Sequence, residues 1–219
     1  MRTSLAPAGV AEWQTRPTQN RLSVRTCGFD PHHRHPDPPR AARRLGQSGP
    51  VRLVLISDTH LPVRAKRLPD EIWPAVDAAD VVFHAGDWVG VELLDELETR
   101  SRRLVGCWGN NDGPELRARL PEVARVTLHG IRFAVVHETG QAVGRERRMD
   151  DAFPDVDVLV FGHSHIPWDT VTPRGMRLLN PGSPTDRRRQ PHGTYLTATV
   201  DASGLRDVTL HPLPRPSAS

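Results

Sequence analysis

Beyond residue 50, short apolar runs alternate with polar, glycine-containing breaks, the pattern of buried strands joined by loops and helices. Val51–Ser57 reads as the first buried strand. Pro69 opens a helix predicted to run through Ala78, since proline suits a first helical turn. Val81–Ala85 reads as a second strand, Val91–Arg100 as an acidic amphipathic helix and Leu104–Trp108 as a third strand. Arg125–Leu128 and Ile131–Val136 flank His129-Gly130, which predicts a hairpin. Residues 141–152 read as helical and Val156–Phe161 as another buried strand, with Met176–Leu179, Thr194–Val200 and Val208–Leu210 as later strands. Strand–helix units come first and mostly strands follow, an order that favours a layered α/β sandwich over a doubly wound sheet. No internal repeat is visible.

The polar residues that stop these apolar runs carry the chemistry. Five segments end a strand with a potential metal ligand: Asp58-x-His60, Gly86-Asp87, Gly109-Asn110, Val136-His137 and Gly162-His163-Ser164-His165. Sites in open α/β sheets form outside the carboxyl ends of the strands, so these side chains should converge. Glycine beside three of them lets the backbone turn sharply and approach a ligand. The donors are carboxylate, imidazole and one amide oxygen, with no thiolate. Such a set suits Mn2+, Fe, Zn2+ or Ni2+. Two ions about 3.5–4 Å apart need a shared carboxylate; such a pair grips a phosphoryl group and yields hydroxide near neutral pH. His84 precedes Asp87 by three residues and, by strand alternation, should point away from the site.

Taken in order, S-D-T-H, H-A-G-D, G-N-N-D, V-H-E and G-H-S-H, followed by N-P-G-S-P, resemble the motifs of the calcineurin-like metallophosphoesterase superfamily, in particular its small bacterial and archaeal phosphodiesterases. The resemblance covers about residues 51–200 and implies a four-layer α/β/β/α sandwich. It implies a first metal held by Asp58, His60, Asp87 and His165, and a second by Asp87, Asn110, His137 and His163, with Asp87 as the bridge. Mn2+ is the expected ion, the substrate a small phosphodiester, with Asn110, Asn111 and His137 on the substrate side. Asp112 is expected to orient the Asn110 turn or a neighbouring group. Asn180-Pro181-Gly182-Ser183 is expected near the metals, although a plain Pro-Gly turn explains it equally well. Two positions depart from the family pattern. Asn111 stands where many members have a histidine that protonates the leaving alkoxide, and an amide cannot act as that acid. Glu138 stands where glycine is common, and its bulk narrows the mouth of the site. A non-catalytic scaffold resembling the metal-poor retromer subunit, a phosphomonoesterase and a nuclease are the alternative readings.

Charge changes the picture once it is divided along the chain. Residues 1–50 hold eight Arg, no Lys and three acids, a net of +5; the remaining 21 basic and 23 acidic residues give −2. The expected domain, residues 51–211, therefore shows no electrostatic footprint for nucleic acid. Arg187, Arg188 and Arg189 read first as a solvated run and second as a phosphate contact. Residues 1–50 are rich in Pro and Arg and lack periodicity, so His32, His33 and His35 read as part of a disordered tract. Codons that can encode Val10–Trp13 and Gly28–Pro31 contain D-arm and T-arm consensus sequences, so residues 1 to about 40 read as a translated tRNA gene with initiation near Val51; a genuine extension is the other reading. The tail from Pro212 to Ser219 is expected to fray. Cys27 and Cys107 are too few for a disulfide framework, and no apolar run of about 18 residues spans a membrane. A cytoplasmic enzyme is expected. A homo-oligomer stays open, since Trp73, Trp88, Trp108 and Trp168 can serve either core or interface.

Overall fold

Side-chain alternation along β1 (Val51–Ile56) sorts its residues between two cores. Val51, Leu53 and Leu55 face one apolar cluster, while Val54 and Ile56 face another. The computed structural model describes residues 49–214; the readings for residues 1–48 and 215–219 lie outside the described residues.

The chain continues through a 3-10 turn (Asp70–Ile72), α1 (Trp73–Ala78), β2 (Val81–Ala85), α2 (Glu92–Arg100), β3 (Leu104–Cys107) and α3 (Pro114–Arg119). Then come β4 (Ala124–Leu128), β5 (Ile131–Val136), α4 (Arg145–Ala152), β6 (Val158–Phe161), β7 (Trp168–Val171), β8 (Arg177–Asn180), β9 (Thr194–Asp201) and β10 (Gly204–Pro212). Two five-stranded sheets form, ordered β10-β9-β1-β2-β3 and β4-β5-β6-β8-β7. Both are mixed: β1–β2–β3 and β5–β6–β8 run parallel, with antiparallel partners outside them.

The inner faces of the sheets meet in one cluster, where Leu55, Phe83 and Val105 oppose Val126, Phe133 and Val160. Phe83 and Phe133 stack across it with ring centroids 5.4 Å apart. On the outer face of the first sheet, Val76, Leu93, Leu94, Leu97 and Leu116 bring α1, α2 and α3 against Val54, Ile56 and Val82. Met149 of α4 covers Ala134, Leu159 and Phe161 on the outer face of the second. The result is the expected α/β/β/α layering. Trp88 is wholly buried in this packing and so belongs to the core, whereas Trp73, Trp108 and Trp168 are half-buried.

The departures from expectation have local causes. The Pro69 helix splits into a 3-10 turn and α1, because Pro74 restarts it at a first-turn position. The helix expected from residue 141 begins at Arg145, because Gly144 takes a left-handed backbone (φ 71°) and the preceding loop wraps the Arg148 guanidinium, which donates to the carbonyls of Thr139, Gln141 and Val143. α3 and β7 are absent from the sequence reading. The first spans six residues, too few for a period of 3.6 to show. The second is a half-exposed edge strand. β10 extends well beyond Val208–Leu210, and the buried Leu213 follows it with its N–H bonded to the Gly193 carbonyl, so the fold continues past Pro212. No helix among the described residues is long and apolar enough to cross a membrane.

Candidate metal centre

The parallel strands β1, β2, β3, β5 and β6 each release the chain into a loop carrying one of the expected ligands. Asp58, His60, Asp87, Asn110, His137, His163 and His165 come together there. Asp58, His60 and His165 each bring a donor atom within 4.8 Å of the other two, and so do Asp58, Asp87 and His137. Around these groups, His165 Nε2 lies 3.2 Å from His60 Nε2 and 3.3 Å from Asp58 Oδ1. Asp87 Oδ2 lies 3.3 Å from His137 Nε2 and 3.6 Å from His60 Nε2. Asn110 Oδ1 lies 3.0 Å from His137 Nε2 and 2.9 Å from His163 Nδ1.

Backbone conformation aims these side chains. Asp58, His60, Asp87, His163 and His165 all adopt left-handed φ values, between 46° and 70°. Non-glycine residues rarely do so, and such conformations gather where a site demands them. Gly86 (φ 85°) and Gly109 supply the close approach predicted from sequence. A Cβ on Gly86 would lie 2.8 Å from His137 Nδ1, and one on Gly109 would collide with the Asp87 amide and carboxylate. A Gly109→Ala variant is therefore expected to lose about 1–3 kcal/mol of stability and to bind Mn2+ at least about tenfold more weakly, as outer partners of ligands do when disturbed. Urea melts and calorimetry measure both. Native metal affinity in this variant would show that the Gly109–Asp87 contact is slack.

Hydrogen bonds set the donor faces. His137 Nδ1 donates to the Ala85 carbonyl at 2.8 Å, and His165 Nδ1 donates to the Asp186 carbonyl at 2.5 Å. In the neutral rings both Nε2 atoms then present lone pairs to the site. Asp58 is held by Ser57 Oγ at 2.7 Å and by the His163 N–H at 3.0 Å to each carboxylate oxygen. Asp112 accepts the N–H groups of Asp87, Val89 and Gly109 at 3.1, 2.8 and 2.7 Å, which joins the second and third ligand loops as expected. The Asn180–Ser183 turn is more than punctuation. Asn180 Nδ2 donates to the Gly162 carbonyl at 2.8 Å, and Ser183 Oγ donates to the Asp58 carbonyl at 2.7 Å.

Burial and near neighbours set the charges of these groups. Burial pushes the Asp58 carboxyl up to about 7, against the pull of His137 and Ser57. Burial also opposes the Asp87 charge, yet hydrogen bonds from His137 and Asn111 bring it well below the usual carboxylate range. For His137, burial disfavours the imidazolium, but the Asp87 hydrogen bond and the Asp58 charge outweigh it and raise its pKa. Burial lowers His60, and lowers His165 to about 4. Carboxylate, amide and imidazole acceptor atoms thus face one another at 2.9–3.6 Å. A proton or a metal ion must lie among them to make that arrangement favourable. The donor set fits divalent ions of the hard-to-borderline class.

The family model of the calcineurin-like phosphoesterase superfamily domain matches residues 51–203. The chain belongs to that superfamily. As a member, it is 33% identical over 154 residues to the probable metallophosphoesterase MJ0623 of Methanocaldococcus jannaschii, covering 70% of this chain and 78% of the archaeal one. Among solved structures, protein TM1076 of Thermotoga maritima is 34% identical and superposes with a TM-score of 0.60 over 74% of this chain and 99% of that one. Wild-type Vps29 of Entamoeba histolytica, solved in complex with Zn2+, gives a TM-score of 0.61 at 21% identity, over 74% of this chain and 98% of that one; at that identity the likeness concerns the fold.

Other residues around the candidate site lay hidden in the sequence. Asp186 acts through a backbone carbonyl, which no side-chain pattern announces. Arg117 of α3 donates to the Asp112 carbonyl at 2.7 Å and covers the Trp108 ring at 4.2 Å, stapling the Asn110 loop from a helix too short to detect. Asn111, expected on the substrate side, places its Nδ2 2.6 Å from Asp87 Oδ2. His84 is buried on the far side of β2, stacked 3.4 Å from Trp88 with Nε2 3.1 Å from Thr59 Oγ1, and so takes no place among the ligands. Arg187, Arg188 and Arg189 are exposed, and only the Arg188 charge reaches the site, lowering the pKa of His60 and His165 after burial has done so.

Proposed function

We propose that the chain hydrolyses small phosphodiesters in the cytoplasm with two divalent metal ions, Mn2+ being the favoured ion and Fe, Zn2+ and Ni2+ the others its ligands accept. Asp58, His60, Asp87 and His165 would hold the first, and Asp87, Asn110, His137 and His163 the second. The observation that carries this reading is the position of Asp87 Oδ2, between His60 Nε2 at 3.6 Å and His137 Nε2 at 3.3 Å, where one carboxylate can serve both ions. Zn2+ in Entamoeba Vps29 shows that this fold takes a borderline metal in another protein. When bound, the ions supply positive charge to the phosphoryl oxygens and lower the pKa of the attacking water.

The chain's own groups do the rest. The Ala85 and Asp186 carbonyls hold His137 and His165 in the tautomer that offers Nε2. Asn110 and His137 would stand on the substrate side; Asn110 Oδ1 lies between His137 Nε2 and the exposed His163. Asn111 donates through its amide to Asp87 and carries no proton for a departing alkoxide. The site therefore suits esters whose leaving group needs no protein acid, and diesters with good leaving groups over simple alkyl monoesters.

A panel of bis(p-nitrophenyl) phosphate and p-nitrophenyl phosphate, run with Mn2+, Zn2+, Ni2+ and Fe2+, tests the proposal. The diester should turn over at least about tenfold faster than the monoester, a difference of about 1.4 kcal/mol in barrier. Faster monoester hydrolysis would move the assignment to a phosphomonoesterase. A protein that binds none of these metals and cleaves neither ester would be the scaffold that the Vps29 likeness brings into view.

A further inference from the structure

Strand alternation sends Phe83 into the core between the sheets, and Val82 and His84 into the layer beneath the helices. That layer is otherwise apolar, with Ile56, Leu94 and Leu116 around Trp88. His84 is wholly buried there, and its Nδ1 has no hydrogen-bond partner among the described residues. An imidazole so placed gives up at one nitrogen the hydrogen bond it had in water, a cost that an apolar side chain of similar size would not carry.

The ring is nonetheless held in one orientation. Trp88 lies nearly parallel to it, with ring centroids 3.4 Å apart. The indole is itself fixed, because Trp88 Nε1 donates to the Cys107 carbonyl at 2.9 Å. It also lies over Gly106, where a Cβ would come within 2.9 Å of the indole. So held, His84 Nε2 lies 3.1 Å from Thr59 Oγ1. Burial keeps the imidazole neutral, and a buried N–H is left orphaned less readily than a buried acceptor. The ring proton therefore belongs on Nε2, which donates to Thr59.

Thr59 stands between Asp58 and His60, whose backbones are left-handed at φ 53° and 46°. Conformations of that kind persist only where the surroundings fix them. Ser183 Oγ and Thr185 Oγ1 donate to the carbonyls of Asp58 and Thr59 at 2.7 and 2.6 Å. His84 takes hold of the same turn through the Thr59 hydroxyl. Among the described residues this is the one side-chain hydrogen bond that joins the turn to β2, the strand leading into Asp87.

We propose that His84 is a positioning residue of the metal centre, setting Asp58 and His60 relative to Asp87 through Thr59. The proposal rests on the two-metal reading above and deepens it with a residue that touches no ion.

Mn2+ calorimetry beside urea melts of the metal-free protein tests it. His84→Phe keeps a ring against Trp88 and loses the bond to Thr59. It should bind Mn2+ about tenfold more weakly, as when an outer partner of a ligand is removed. Its urea midpoint should be unchanged or higher, since the unpartnered nitrogen is gone. Thr59→Val, which removes the other end of the bond, should weaken Mn2+ binding by a similar factor. The double variant should lose no more than either single one, because both remove one interaction. His84→Gln, whose amide can reach Thr59, should recover most of the affinity. Native affinity in His84→Phe, a fall in its urea midpoint alongside the lost affinity, an additive loss of about a hundredfold in the double variant, or a glutamine no better than phenylalanine would overturn the positioning role and leave the two-metal reading standing. A native protein that binds no divalent ion would overturn both.

Discussion

An Asp87→Asn variant is expected to lose at least about a thousandfold of the turnover of bis(p-nitrophenyl) phosphate, roughly 4 kcal/mol of transition-state stabilisation. Asparagine has the shape of aspartate, so the Asn111 N–H at 2.9 Å keeps an acceptor at Oδ1. The fold should survive, with an unchanged circular dichroism spectrum. What disappears is the negative charge between His60 and His137, together with the acceptor for the Asn111 side-chain amide. Without it one oxygen can no longer neutralise two ions, and the second ion should bind weakly or not at all. Metal content measured beside kinetics separates this outcome from simple unfolding. Native turnover with one equivalent of metal would refute the bridging role.

The second large effect is the pH dependence of metal binding. Asp58 titrates near 7 because burial disfavours its anion, and His137 titrates above its ordinary value because the Asp87 hydrogen bond outweighs its own burial. Both hold a proton more firmly than the free side chain does, and a metal must displace it. His60 and His165 have lowered values and Asp87 is already ionised, so these three contribute no proton near neutral pH. Affinity for Mn2+ should therefore rise from about pH 6 through about pH 7 to about pH 8, by up to about tenfold per pH unit for the Asp58 proton and more steeply where His137 still holds its own. Calorimetry at those three pH values reads the slope, and a flat profile would mean that Asp58 and His137 are not protonated in the metal-free protein.

The same shifts set the stability of the metal-free chain. The raised Asp58 value contributes stability that is complete below its unfolded value of 3.8 and is lost as pH climbs through about 7. The lowered His165 value acts the other way, costing stability as pH falls from 6.5 toward about 4. The two offset each other over most of that interval. The net loss falls near neutrality, where the ion binds best, so the thermal shift produced by Mn2+ should be larger at about pH 8 than at about pH 6.

The candidate ligands were legible in the sequence because each sits where a buried strand stops. β2 is buried throughout and ends at Ala85, and β6 is buried throughout and ends at Phe161, so Gly86-Asp87 and Gly162-His163 mark the edge of the core as well as the start of the site. Arg117 and β7 were not legible. A helix of six residues and an edge strand with alternate exposed positions leave little apolar period to detect.

By itself the sequence determined the apolar period of each strand, the layers that this period forces, and the residue types delivered at the strand ends. Those are local properties, because burying one face of a strand is decided by the residues along it. Tertiary structure alone decided which atoms of those residues meet. The His163 N–H reaches the Asp58 carboxylate across 105 residues of chain, and the Asp186 carbonyl chooses the tautomer of His165. It also decided that Asn111 faces Asp87, and that Glu122 and Glu138 share one groove with Trp108 and Phe153. Such contacts depend on how separate strands and loops pack in space, and no pattern confined to one segment encodes them.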